Sequence, residues 1–551
     1  MTKNCRQCGN AFEITDEDSK FYEKISPIFA GKKYQIPAPV FCPDCRMQRR
    51  LAFRNERKLY HRKCDLTGKE IISMYSPDKP VQVYGREAWW GDQWNPLDYG
   101  RDFDFNRPFF EQFAELLKVV PRIALINKEI ENSEYCNFGF RNKNSYLLFT
   151  CGYCENSYYS NRSFKMKDCA ECSNLNTGEL CYELVDCENC YNSQYLQNSN
   201  NCSDCILGFN LKGCKNCFAC CNLNNAEFYI ENKKYSEEEY RKKLPELLKN
   251  FEASKALFNE LKKQAIRKYI NGVNLENCTG DALFNSKNSL NCYEGKNLQD
   301  CKFVCNATNM KDSYDVINDD NSELVYEAVG SESNYMHAFN DICWFDSFDY
   351  YNSLCFNSKN IFGCVGLKKN EYCILNKQYS KEDYEKLVPR IIEHMRKTDE
   401  WGQFFPMSIS VFSYNETLAQ DYFPLVPEQA KKIGANWKNE DLSGKYQGSK
   451  VIISKNIQET PNEITKQILV CDKCSKNYKI IPQELQLYRK INVPVPNICH
   501  ECRHLERMEA RNPRKLWERN CAKCGVAITT SYAPNRPEIV YCESCYLKEV
   551  Y

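Results

Sequence analysis

Residues 202–225 read CSDCILGFNLKGCKNCFACCNLNN, two twelve-residue lines that each open on a CxxC pair. The reading of this echo decides the fold. CxxC pairs begin at Cys151, Cys169, Cys187, Cys202 and Cys214, in steps of 18, 18, 15 and 12, all multiples of three. Short fixed periods of Cys, Asn and aromatic residues predict a solenoid, in which each turn stacks its cysteines and asparagines on the turn before. Strand-length stretches such as YLLFT and AEFYI, set off by NS, NN and KG turns, suit a parallel β-helix. A narrow interior needs small side chains, and a reduced cysteine packs as a small hydrophobe. The competing use of the fourteen cysteines between Cys136 and Cys221 is as metal knuckles or an iron–sulfur cluster.

The same region is duplicated. CKNCFACCNLNNAEFYIENKKYSEEEYRKKLP (214–245) matches SKNIFGCVGLKKNEYCILNKQYSKEDYEKLVP (358–389) without a gap, 144 positions on. Cys214 and Cys217 become Ser358 and Ile361 while the surrounding pattern survives. A buried position tolerates isoleucine and a metal ligand does not, which favours the cysteine ladder. Both repeats end in a predicted helical cap, opened by Ser236 with Glu239 or by Ser380 with Asp383, and the first cap reads as one long amphipathic helix.

A second duplication joins the two ends. Pro37–Ala88 matches Pro494–Cys545 at an offset of 457, and Cys5, Cys8, Tyr22 and Lys24 match Cys471, Cys474, Tyr488 and Lys490 at 466. Two CxxC turns bring four thiolates around one point, the tetrahedral preference of Zn²⁺. Three complete sets result: Cys5, Cys8, Cys42, Cys45; Cys471, Cys474, Cys499, Cys502; and Cys521, Cys524, Cys542, Cys545. The N-terminal counterpart of the third is Cys64, Thr67, Gly85 and Ala88, for which no zinc is expected; the aromatic run GREAWWGDQW would staple that copy instead. Sets of four thiolates are structural, worth ~10–16 kcal/mol each to segments too small to fold alone. A redox role would need a thioredoxin-like βαβ setting. His500 and His504 read as neighbours of a complete set.

The pattern CxxCG…FxIT…FY…P…CPxCR, carried by Cys5, Cys8, Gly9, Phe12, Phe21, Tyr22, Pro39, Cys42, Pro43, Cys45 and Arg46, resembles the probable zinc-ribbon family of bacterial proteins. The whole chain also resembles cysteine-rich, zinc-ribbon-flanked proteins of uncultured bacteria. The zinc-ribbon motif covers the two ends only, and the family implies zinc binding without catalysis.

Composition fits a multidomain chain with cores: 551 residues, 42% hydrophobic, 35 cysteines against five histidines, and a net charge of +1. No apolar run approaches a bilayer span and MTKNCRQCGNAF has no signal-peptide core, so a cytoplasmic chain with reduced thiols and no membrane partner is expected. The predicted fold is mainly β with helices: two tandem parallel β-solenoids with helical caps, flanked by tandem zinc-ribbon modules. The boundaries are 1–98 for the N-terminal module, 99–127 for a connecting helix, 128–272 and 273–398 for the solenoids, 399–465 for an extended strap ending in a linker (GKYQGSKV), and 466–551 for the C-terminal module.

Three functions compete. A protein-docking scaffold with three structural Zn²⁺ ions and no small-molecule cofactor is favoured, because solenoids offer long rigid surfaces. RNA binding would use Arg46, Arg49, Arg50, Arg54, Arg57, Lys58 and Arg62, where eight basic residues face one glutamate between Cys45 and Lys63. The plain alternative is that these arginines pair with acids of their own domain. A carbohydrate-active β-helix enzyme ranks last. The acidic run DSYDVINDDNSE (312–323) reads as a solvated loop, His61, His337 and His394 lack partners at motif spacing, and no P-loop, GxGxxG, HExxH or GxSxG occurs.

Overall fold

The protein is described by a computed structural model covering residues 1–173, 176–439, 448, 451–454 and 456–550. Most of the expected linker 444–451 lies outside the described residues. The architecture is mixed α/β, with twelve α-helices among the described residues and an eleven-stranded sheet running from Gly272–Glu276 to Lys377–Gln378. Its strands pair in parallel, in sequence order, until the antiparallel hairpin formed by Glu371–Ile374 and Lys377–Gln378. Residues 127–230 form a shorter-stranded counterpart, ending in the matching hairpin of Glu227–Ile230 and Lys233–Lys234.

One register governs both ladders. Partners lie twelve residues apart, as in Ile206 with Phe218 and Tyr335 with Ser347. Where strands shorten to single bridges the offset holds: Phe140 pairs with Gly152 and Gly152 with Phe164. The first rung of the second ladder is one residue short, Gly272 pairing with Leu283. Gly280 follows it at φ 143°, where an added Cβ would lie 1.7 Å from the carbonyl oxygen of Cys292, so only glycine fits.

The local cause is a three-residue backbone rhythm. Left-handed residues recur at three-residue intervals, as at Phe138, Arg141, Asn144, Leu147 and Thr150. Such a conformation costs most L-residues ~1–2 kcal/mol and Asn less, which accounts for the many asparagines there. Their amides stack along the ladder: Asn210 Nδ2 donates to Asn222 at 2.7 Å, Asn297 to Asn309 at 2.7 Å and Asn309 to Asn321 at 2.8 Å. The residue after each left-handed corner points into the core. In the first ladder those core positions carry Cys151, Cys154, Cys169, Cys172, Cys202, Cys205, Cys214 and Cys217, all buried. Each buried thiol donates to a main-chain carbonyl, as Cys205 Sγ does to Cys214 O at 3.5 Å and Cys151 Sγ to Ser160 O at 3.6 Å. Burial pushes Cys136 up to about 12, so it stays a protonated thiol. The 18-, 18- and 15-residue steps between CxxC pairs are therefore multiples of the three-residue unit, while the rung itself is twelve.

The chain divides into two compact units that interleave in sequence. The first combines residues 1–125 with 272–439, and the second 126–271 with 440–551. The N-terminal module thus belongs with the second ladder and the C-terminal module with the first. The caps are as expected at their starts: Ser236 and Glu239 exchange both capping-box bonds, and Ser380 accepts from the Asp383 N–H at 3.1 Å. The first cap is not one long helix. It breaks at Asn250 into Glu237–Lys249 and Phe251–Gln264.

The segment after 398 is not an extended strap either. Through Asn439 it folds into 3₁₀ turns and the short helices Leu418–Tyr422 and Pro427–Lys432, within the first unit. Its aromatics drive this: Phe405 stacks on Phe113 at 4.7 Å and Phe412 on Tyr75 at 5.0 Å. Glu400 accepts from the Phe109 and Phe110 N–H groups and so caps the helix Phe109–Val119.

Candidate metal centres

Each four-cysteine set is assembled from two local turns. In the first module Cys5 follows the strand Thr2–Asn4 into a tight turn closed by Gly9, whose φ of 76° suits glycine and whose N–H donates to Cys5 O. The second turn is a helix start: Cys42 is the N-cap of Pro43–Leu51 and Cys45 lies in its first turn. Cys471, Cys474, Cys499 and Cys502 repeat this plan, with Cys499 as the N-cap of His500–Glu509. In the third set Cys545 lies in the helix Glu543–Val550. A helix N-terminus presents free N–H groups and the positive end of its dipole, which favours thiolate there.

In each set the four sulfurs lie within 4.8 Å of one another. Sγ–Sγ separations are 3.7 Å for Cys8–Cys42, 3.8 Å for Cys471–Cys502, 3.6 Å for Cys474–Cys499 and 3.7 Å for Cys524–Cys542. A tetrahedron with metal–sulfur arms of ~2.3 Å has an edge of ~3.8 Å, so these sets are sized for one Zn²⁺-like ion. Main-chain donors complete the sites: Cys499 N–H points at Cys471 Sγ (3.2 Å) and Cys542 N–H at Cys521 Sγ (3.3 Å). Although burial opposes ionisation, N–H groups of Cys499, Cys474 and Lys473 hold Cys471 down to about 6. The N–H groups of Cys524, Cys542 and Lys523 do the same for Cys521, again to about 6. Cys42 is drawn down to about 5, chiefly by the Cys45 thiol. One thiol in each set is thus held toward the thiolate, the form a metal ion binds.

Where three cysteines are lost, tryptophan fills the module. Trp89 is fully buried, donates Nε1–H to Pro121 O at 2.9 Å, and packs on Trp90, Trp94 and Phe356. Cys64 remains, its Sγ accepting from the Gly85 N–H at 3.3 Å.

The basic segment is largely buried. Arg46, Arg49, Arg50, Arg54 and Arg57 are each 9% exposed or less. Arg46 reaches Asp315 at 2.9 Å, and Arg50 bridges Glu327 at 2.5 Å and Asp315 at 3.2 Å. Arg49 donates to Phe404 O at 2.6 Å and Arg54 to Glu56 at 2.6 Å. Lys58 and Arg62 are the least buried of the seven, and Arg62 pairs with Asp65 at 2.9 Å. In the second unit Arg503 pairs with Glu171 at 2.6 Å and Arg507 with the same carboxylate, while Tyr159 donates to Glu484 at 2.6 Å. Glu171 and Asp315 lie 144 positions apart, as Arg46 and Arg503 lie 457 apart. Both duplications therefore preserve one contact, module arginine to ladder acid.

The acidic run 312–323 is not a solvated loop. Asp315 and Asp319 are fully buried, because three-residue rhythm places one on the wall beneath Arg46 and the other in the core. His337 is likewise partnered, with Asp349 twelve residues on, at 2.9 Å. Only the rung length, which the CxxC steps obscured, would have revealed that pair.

No family model matches the chain, and no curated protein matches it. Among the described residues no helix is long and apolar enough to cross a membrane.

Proposed function

We propose that the protein is a non-enzymatic scaffold stapled by structural zinc, which docks a protein partner. The carrying observation is that both cysteine modules turn their basic helices onto ladder carboxylates, so the modules serve to brace a long parallel surface. The twelve-residue register, with a left-handed corner every third residue, supports reading each ladder as a solenoid of four-cornered turns. The thiolate-only donor sets support Zn²⁺ as the ion. Exposed aromatics on successive rungs, Tyr335 packed on Phe348 at 5.7 Å with Phe345 beside them in sequence, are suited to protein recognition.

RNA binding would fall to Lys58, Lys63 and other surface cations, since the arginines of the segment, Arg62 included, are engaged internally. Binding to single-stranded RNA measured across salt concentrations separates the two. A steep salt slope that falls with Lys58→Glu and Lys63→Glu would replace docking by RNA binding. Flat or absent binding, with Tyr335→Ala and Phe348→Ala leaving the fold intact but abolishing recovery of a defined, stoichiometric protein partner, supports the scaffold.

A further inference from the structure

The core of the second ladder changes character over one rung. The four core positions there are Asn340, Cys343, Asp346 and Asp349, where the first ladder, 144 residues earlier, carries Leu196, Ser199, Cys202 and Cys205. Two carboxylates thus replace neutral groups at positions 0–1% exposed. Burying such charges costs several kcal/mol each unless something compensates them.

Asp349 is fully partnered. Its Oδ1 lies 2.9 Å from His337 Nδ1, and its Oδ2 accepts from Asn340 at 3.0 Å and Asn352 at 3.4 Å. Asp346 is not. Its Oδ1 accepts the Ser358 N–H at 2.6 Å, and its Oδ2 is buried with no hydrogen-bond partner. Cys343 Sγ makes a long contact with Asp341 O, at 3.7 Å, and a thiol–thiol contact with Cys355. The Cys343 sulfur and one carboxylate oxygen from each aspartate all lie within 4.8 Å of one another.

We propose that Cys343, Asp346 and Asp349 form a further, buried metal centre that takes a divalent transition ion, Zn²⁺ foremost. One thiolate and two carboxylates present both sulfur and oxygen, a mixture zinc accepts and Mg²⁺ or Ca²⁺ does not favour. His337 supports the site from the preceding rung by holding Asp349, as ligating carboxylates at metal sites are themselves held by hydrogen bonds. The orphaned Asp346 oxygen then has its partner. The ion enters before the rungs close over it and stays once they have, unlike ions at the terminal sets, each of which includes an exposed or half-exposed cysteine.

Elemental analysis of the full-length chain, before and after dialysis against EDTA, tests this. The expected result is one zinc ion per chain that survives EDTA, lost in Asp346→Asn and in Cys343→Ser. Asp319→Asn, which alters a buried acid outside the group, keeps it. The same retained content in wild type, Asp346→Asn and Cys343→Ser would overturn the proposal. So would a higher denaturation midpoint in Asp346→Asn with unchanged metal, since Asp346 would then be a neutral acid. If neither variant folds, the wild type decides: no ion surviving EDTA refutes the centre. Failure of the terminal zinc sites would appear separately, as absence of the EDTA-labile ions.

Discussion

Arg50 is 1% exposed and reaches two carboxylates, so its worth depends on both remaining in place. Removing one member of a buried ion cluster strands the rest and costs about 3–5 kcal/mol. Asp315→Ala is expected to lower stability by that amount in urea denaturation, because Arg46 and Arg50 both lose one of their two anions and must share Glu327. Asp319 makes the opposite case. Burial raises its pKa from 3.8 to about 7, against the help of Ser322. The folded state therefore holds a proton that the unfolded state has released, and stability falls as pH rises from about 4 to about 7. Asp319→Asn should flatten that slope and raise the midpoint above pH 7, read by thermal melts across pH. The recurrence of the arginines in both modules was legible in the sequence, and so was the prospect that they pair internally. Their acids were not, since Asp315 and Glu327 lie more than 260 residues from Arg50.

At the scale of elements, two local devices can be separated by substitution. Ser236 and Glu239 close a capping box at an exposed helix start, so Ser236→Ala should cost about 1 kcal/mol and fray Glu237–Lys249 in hydrogen exchange. Asn309 sits at φ 56° and links Asn297 to Asn321. Asn309→Ala loses both the amide ladder and the tolerance for a left-handed backbone, whereas Asn309→Gly keeps the latter. Alanine should therefore be the more damaging of the two in denaturation midpoint. The caps were readable from four residues each. The break at Asn250 was not, because an amphipathic pattern continues across it and only packing decides where the chain turns.

For the molecule as a whole, zinc-sized thiolate sets sit in both compact units. Stripping the accessible ions with a chelator should lower the melting temperature of both units and expose 1–98 and 466–551 to protease; added Zn²⁺ should restore them. Cys499→Ser should reproduce the loss for the C-terminal module alone. Sequence order suggests a row of domains, but the units cross it: the first module goes with the second ladder and the last with the first.

The sequence by itself determined the two duplications, the cysteine sets, the caps and a small-residue core, because each is written in spacings of a few residues or in aligned copies. Only the tertiary structure decided the twelve-residue rung, the module-to-ladder pairing and the buried acids. Those depend on which distant residues come to share one dry space, where a charge must find its partner, and no local pattern encodes that choice.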